Sequence, residues 1–239
     1  MELQKVMDLL YPPQCVLCRD LVDHGGPLCA HCWADTPFIT GPVCDACGTP
    51  LIGEEEAGGA QCDACLATPR PWHRGRAVLD YRDNGRRLVL GLKHGDRHDL
   101  VGHMAPWLAR AAGDLITDDT LLVPIPLHWM RLLRRRFNQS AALANAVGRI
   151  LSLEVCPDAL IRTRTTPAQS GTADARYENV VGALRAHPKR GRILEGRDVL
   201  LVDDVMTSGA TFTAATQACR AAGARQVSVL SLARVVKDP

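Results

Sequence analysis

Four apolar residues, Val199-Leu200-Leu201-Val202, run directly into the adjacent carboxylates Asp203 and Asp204, and after Val205-Met206 comes the loop Thr207-Ser208-Gly209-Ala210-Thr211. The apolar run shows no polar alternation, which is the pattern of a strand buried on both faces of a parallel sheet. Ligands of such sheets sit in a crevice at the C-terminal ends of the strands. An Ala-rich segment, Ala214 to Ala222, follows as a predicted helix. The loop therefore brings backbone N–H groups and the hydroxyls of Thr207, Ser208 and Thr211 to a helix N-terminus, which is a site for an anion. Gly209 provides the positive φ or close backbone approach that such a nest needs. Two carboxylates beside a phosphate cradle suit a ligand carrying both phosphate and hydroxyls, or a metal. The plainer reading is a strand–turn–helix whose acid pair only caps the helix; it leaves the coincidence of acids, Gly loop and flanking elements without a reason.

The rest of the C-terminal part repeats this logic. Val78 to Tyr81 reads as a short strand, and Arg86 to Lys93 as a helical run ending near Gly95. Lys93 is one of four lysines against 24 arginines. It is either a point charge beside an anion or a helix-end cation paired with the dipole. Leu121 to Pro126 is a second buried strand, followed by Arg131, Arg134, Arg135 and Arg136 and by a predicted helix from Ala141 to Ile150. Guanidinium groups at a strand–helix turn suit the charge of a pyrophosphate, though consecutive residues cannot all face one ligand. Ala159 to Ile161 reads as a third strand. The polar excursion after it, containing Arg162, Gln169 and Arg176, has the length and composition of a lid over a sheet enzyme's site. Pro188 to Gly196 reads as a basic loop, and Gln226 to Val236 as the last strand. This order of elements predicts an α/β domain with a doubly wound, mostly parallel sheet over residues 71–239.

Residues 1–70 differ in kind. Eight of the ten cysteines form four Cys-x2-Cys pairs: Cys15/Cys18, Cys29/Cys32, Cys44/Cys47 and Cys62/Cys65. In a reducing compartment such knuckles mean tetrahedral thiolate zinc, and saturation by four cysteines makes each site structural. Two zinc ions are expected. The simplest partition gives the first four cysteines to one ion and the last four to the other; an interleaved one remains open. Iron–sulfur ligation fits these two spacings less well. A Cys-rich module this small needs its metal in order to fold. Gly48, directly after Cys47, suits the tight turn of a knuckle. Thr68 to Pro71 reads as the exit to the larger domain.

Charge separates the two parts. Residues 1–70 carry 3 Lys/Arg against 10 Asp/Glu, and residues 71–239 carry 25 against 16. The basic part attracts polyanions or phosphorylated ligands, while the acidic module is suited to bracing or protein contact. Met1 to Leu10 has apolar residues at helical spacing with Glu2 and Asp8 between them, so it reads as a short amphipathic helix rather than a secretory leader. No apolar run approaches the ~18 residues of a membrane span. The expectation is a cytoplasmic protein without membrane insertion.

The segment Val202 to Thr211 resembles the phosphoribosyl-pyrophosphate (PRPP) binding motif of the type I phosphoribosyltransferases. That resemblance implies that Asp203 and Asp204 hold ribose hydroxyls and that Thr207, Ser208, Gly209, Ala210 and Thr211 wrap the 5′-phosphate. With Val123-Pro124-Ile125-Pro126, Arg135-Arg136-Phe137-Asn138-Gln139 and Arg162-x6-Gln169-x6-Arg176-x2-Asn179-Val180, the chain is similar to the ComF/GntX family of competence-associated, phosphoribosyltransferase-like proteins. Arg136 stands where that family usually has glycine. The resemblance implies binding of PRPP with Mg²⁺, and the handling of single-stranded DNA in natural transformation alongside competence-machinery proteins. In purine-salvage relatives the place of Thr207 usually holds an aspartate, so purine salvage is not implied. The alternative is an active phosphoribosyltransferase that passes phosphoribosyl to a nitrogen nucleophile and releases pyrophosphate. For a bound strand, Trp72, Trp107, Trp129 and Phe137 are the available stacking rings.

Overall fold

The computed structural model describes residues 12–22, 26–53, 59–94, 97–127, 137–163 and 182–236. The N-terminal helix expected over Met1 to Leu10, the four arginines 131 and 134–136, and Gln169 and Arg176 lie outside these residues.

The centre is a four-stranded sheet in the order β1-β6-β5-β2, parallel throughout. Its strands are β1 (Gly75–Asp80), β2 (Thr120–Pro124), β5 (Asp198–Met206) and β6 (Gln226–Arg234). All five residues of β2 and the first five of β5 are buried, as unalternating runs require. One face packs Leu122, Leu200, Val202, Leu230 and Leu232 against α3 (Asp83–His94), α4 (Asp99–Ala111) and α5 (Gln139–Leu151). The other packs Leu121, Val123, Val199, Leu201, Val227 and Val229 against α6 (Ala210–Ala221). Helices on both faces make the sheet doubly wound, as expected.

Three features depart from the sequence reading. First, α4 was not anticipated. Leu100, Val101, Met104, Ala105 and Leu108 form its buried stripe, although Pro106 stands inside the helix. Pro106 has no N–H to offer the carbonyl of Gly102, but both residues are exposed, so water can take that place. Second, the apolar run at Ala159 to Ile161 does not join the main sheet. β3 (Leu160–Arg162) pairs antiparallel with β4 (Leu184–Ala186) in a separate two-stranded sheet, and this pair packs on the α6 side of the core. The polar excursion thus leaves and re-enters through neighbouring strands, closed at its root by Thr163 N–H donating to the Ala183 carbonyl at 2.9 Å. Third, residues Arg190–Leu194 form a 3-10 turn that buries Leu194, where a basic loop was expected.

The cysteine module flanks this sheet on both sides. Its short helices are α1 (Ala30–Ala34) and α2 (Asp63–Ala67). Cys15, Leu28 and Cys32 form a small core touching Trp107 of α4. Trp33, Phe38 and Trp107 cluster there, Trp107 edge-on to the other two, with ring centroids 4.6–6.1 Å apart. Cys44, Cys47, Cys65 and Trp72, in contrast, belong to the same core as α6 and its face of the sheet. Gly48 has φ +70, and a Cβ there would meet the Ala77 nitrogen at 2.8 Å, so only glycine lets this knuckle lie against β1. No helix among the described residues is long and apolar enough to cross a membrane.

Candidate functional site

The site forms where β5 ends. Asp203 and Asp204 are followed by the loop Thr207–Gly209, and Gly209, at φ +84, caps α6 in the left-handed conformation. Residues Val205 to Phe212 line a small pocket. Gly209 and the acid pair therefore stand at the C-terminal edge of a parallel strand and at a helix N-terminus, as the sequence predicts.

Each acid has a distinct partner. Asp203 Oδ1 accepts from Ser140 Oγ at 2.7 Å and from the Asp204 N–H at 2.9 Å. Asp204 Oδ1 lies 3.2 Å from Lys93 Nζ. Lys93 thus comes to the site from the last turn of α3, which favours the point-charge reading over a purely helix-end role. Protein atoms crowd the Asp203 carboxyl, although part of the residue still reaches solvent. Desolvation first, and the neighbouring Asp204 charge second, push its pKa up to about 7; the bonds from Ser140 and the Asp204 N–H and the charge of Lys93 oppose the rise. At neutral pH the pair is accordingly poised between one negative charge and two.

Ser140 is the functional residue that sequence reasoning missed. It is placed by Asn138, the N-cap of α5, whose side chain accepts from the Ser140 and Ala141 N–H groups and donates to the Ile125 carbonyl at 3.1 Å. The available signal was a cap residue followed two positions later by a hydroxyl, just beyond a buried strand.

The back of the loop faces the second cysteine cluster. The Ser208 carbonyl accepts from Arg70 Nη1 at 2.9 Å, and the Thr207 carbonyl from Arg234 Nη1 at 3.2 Å. With these carbonyls drawn inward, the loop keeps an anion-friendly front. Trp72 donates its indole N–H to the Ala46 carbonyl and meets Phe212 edge-on. Trp72 is 4 % exposed, so the expectation that it stacks on a strand is corrected: it is a core residue. Trp107 is half-buried in its aromatic cluster, and Trp129 lies outside the described residues. Phe137 meets His98 edge-on at 4.0 Å. Arg162 ends β3 at the root of the polar excursion.

The cysteines settle their own partition. Cys15, Cys18, Cys29 and Cys32 form one cluster and Cys44, Cys47, Cys62 and Cys65 another, with the sulfurs of each within 4.8 Å of one another. The arrangement is sequential, and four thiolates at that spacing fit tetrahedral zinc. Crowding shows in the protons: the Cys47 thiol is drawn down to about 4, first by its hydrogen bond from Cys44 and also by the Arg234 charge, while that bond pushes Cys44 up. Among the described residues, no aspartate or histidine joins either cluster.

Comparison with known proteins agrees with both halves. Residues 6–66 match the double zinc ribbon domain, and residues 138–238 match the phosphoribosyl transferase domain. The DNA utilization protein YhgH of Escherichia coli K12 is 31% identical over 237 residues, spanning 95% of this chain and 100% of that protein. Competence protein F of Haemophilus influenzae is 26% identical over 228 residues, spanning 92% and 96%. Among solved structures, glutamine PRPP amidotransferase from B. subtilis aligns at 19% identity and TM-score 0.40, over 60% of this chain and 30% of that one. A hypoxanthine phosphoribosyltransferase from Staphylococcus aureus aligns at 13% identity and TM-score 0.36, over 57% and 64%.

Proposed function

The chain belongs to the family of DNA utilization protein YhgH and competence protein F, phosphoribosyltransferase-like proteins with a double zinc ribbon, and from that premise we propose that it binds PRPP with Mg²⁺ while handling single-stranded DNA during natural transformation. The observation that carries the ligand assignment is the joint placement of Asp203, Asp204 and Lys93 with the Gly209-capped loop. The 5′-phosphate of PRPP takes the N–H groups and hydroxyls of Thr207 to Thr211. The ribose hydroxyls take the acid pair. A carboxyl with a pKa near 7 beside one balanced by lysine suits hydroxyl groups better than a lone divalent cation. Mg²⁺ then rides on the diphosphate, whose charge it offsets. Arg131, Arg134, Arg135 and Arg136 are assigned to the diphosphate on their sequence position alone, and Arg162, Gln169 and Arg176 to the lid.

The side chain at Thr207, which offers a hydroxyl where purine-salvage relatives usually have a carboxylate for the base, speaks against purine salvage. The DNA role comes from the relatives' names and from the basic balance of residues 71–239. Eight cysteines gathered in two thiolate clusters suit a reducing cytoplasm.

Calorimetric titration of PRPP with Mg²⁺ tests the ligand. Wild type binds, and the double variant Asp203→Ala/Asp204→Ala loses about a hundredfold or more in affinity, the effect of two charged hydrogen-bond partners. Absence of binding by wild type overturns the proposal. Steady pyrophosphate release with any of a panel of nucleobases and amines transfers the assignment to an active phosphoribosyltransferase.

A further inference from the structure

We infer that the metal of the second zinc ribbon controls the shape of the phosphate loop, acting through Arg70, Arg234 and Trp72; the inference rests on reading Thr207–Thr211 as that loop. A loop cradles an anion only if its carbonyl oxygens turn away and its N–H groups turn outward. Here the Thr207 and Ser208 carbonyls are each held by one guanidinium, and the other end of each guanidinium is fixed on the ribbon. Arg70 donates from Nε to Cys65 Sγ at 3.4 Å and from Nη1 to the Ser208 carbonyl. Arg234 donates from Nε to Thr49 Oγ1 at 2.6 Å and from Nη1 to the Thr207 carbonyl. Thr49 Oγ1 is in turn 3.2 Å from Cys47 Sγ.

Charge makes these contacts depend on the metal. Four thiolates around one dication leave two negative charges uncompensated. Arg70 and Arg234 supply two positive ones beside that cluster. Around a metal-bound thiolate, the Thr49 hydroxyl donates to Cys47 and accepts from Arg234, so its hydrogen bonds run in one direction from guanidinium to sulfur. Trp72 adds a steric strut: its indole is bonded to the Ala46 carbonyl, between Cys44 and Cys47, and its ring lies under Gly209. When the metal leaves, the knuckles that position Cys65, Thr49 and the Ala46 carbonyl lose the ion that sets their shape, and the anchors of both guanidiniums and of Trp72 shift with them. The two carbonyls are then no longer held inward. The first ribbon, against Trp107 on the opposite face, has no such contact with the loop among the described residues.

The test is amide hydrogen exchange at residues 210–214, where the Ala210 N–H is bonded to Ser208 Oγ and the Thr213 N–H to the Gly209 carbonyl, in the full chain, with zinc measured on the same samples. Arg70→Gln and Arg234→Gln keep two zinc ions, yet each speeds exchange at these amides by about tenfold, the consequence of losing one charged hydrogen bond. Arg97→Gln, on an exposed pair with Asp99, leaves it unchanged. Cys62→Ser and Cys18→Ser each drop to one zinc, and only Cys62→Ser loosens the loop. Wild-type exchange rates in both arginine variants overturn the inference, and so does equal loosening by Cys18→Ser. The arginine variants decide the matter even if Cys62→Ser fails to fold. Failure of wild type to bind PRPP overturns the ligand assignment alone, because exchange is read on the free protein.

Discussion

The indole of Trp72 closes the space beneath Gly209: a Cβ at position 209 would stand 2.9 Å from Trp72 Cη2 and 3.4 Å from Arg70 Nη1. Gly209 also has φ +84. Gly209→Ala therefore combines a strained backbone with a clash against a ring that is itself held by the Ala46 carbonyl. The expected loss is about 1–3 kcal/mol, read from denaturant midpoints at unchanged m. Pairing it with Trp72→Leu, which frees the space but not the φ, recovers part of that loss. Full stability in Gly209→Ala alone contradicts the contact.

The N-cap of α5 carries a second prediction. Asn138 binds two N–H groups of the first turn and the Ile125 carbonyl, and so ties β2 to α5 beside Asp203. Asn138→Ala costs about 1–2 kcal/mol. Asn138→Asp keeps the cap acceptor and loses only the bond to Ile125, so it falls between. Thermal melts of the three proteins check the order; a melt of Asn138→Ala at the wild-type temperature removes the cap from the account.

Legibility in the sequence followed range. The buried strands β2 and β5, the loop after Asp204 and the cysteine knuckles are local patterns, and each is read from neighbours in the chain. The fate of Ala159-Leu160-Ile161 was not legible, because three apolar residues encode burial without direction or partner. α4 was hidden by Pro106 and Gly102, residues that weaken a local helix signal while its apolar stripe is satisfied only by packing on the sheet. The back of the candidate site was least accessible. Arg70 and the Ser208 carbonyl it holds are 138 residues apart, and Arg234 and Thr49 are 185 apart. Arg70 read as part of an exit segment; nothing near it in the chain announces a carbonyl or a thiolate.

The two ribbons are expected to lose zinc at different rates. In the first cluster Cys18 is exposed and Cys29 half-buried, whereas Cys44, Cys47 and Cys65 of the second are each 0 % exposed. Elemental analysis gives two zinc ions per chain. A chromophoric chelator then draws zinc in two phases, the faster from the first cluster, and Cys18→Ser removes that phase. The slow phase coincides with a change in tryptophan fluorescence as Trp72 leaves the core shared with α6. A single phase, with both ions leaving together, contradicts the difference in access.

Asp203 makes stability depend on pH in a direction opposite to that of a paired surface carboxylate. Its folded pKa is near 7 against 3.8 for the free group, and desolvation is the main cause. The folded state therefore holds this proton more tightly than the unfolded chain does. Between pH 3.8 and about 7 the unfolded chain has already released it, and each rise in pH lowers stability; above about 7 the loss is complete. Asp203→Asn cannot ionise, and its side-chain oxygen still accepts from Ser140 Oγ and the Asp204 N–H. The variant is thus more stable than wild type at pH 8, by on the order of 1–3 kcal/mol, and the gap shrinks as the pH falls to 5. Melting temperatures of both proteins across this range give the comparison. Ser140→Ala acts in the opposite sense: without the hydroxyl that favours the charged form, the Asp203 pKa climbs further, which carboxyl-carbon NMR titration reads directly. A gap between Asp203→Asn and wild type that stays constant from pH 5 to 8 means the carboxyl is already ionised throughout, and the acid pair is then fully charged in the free protein.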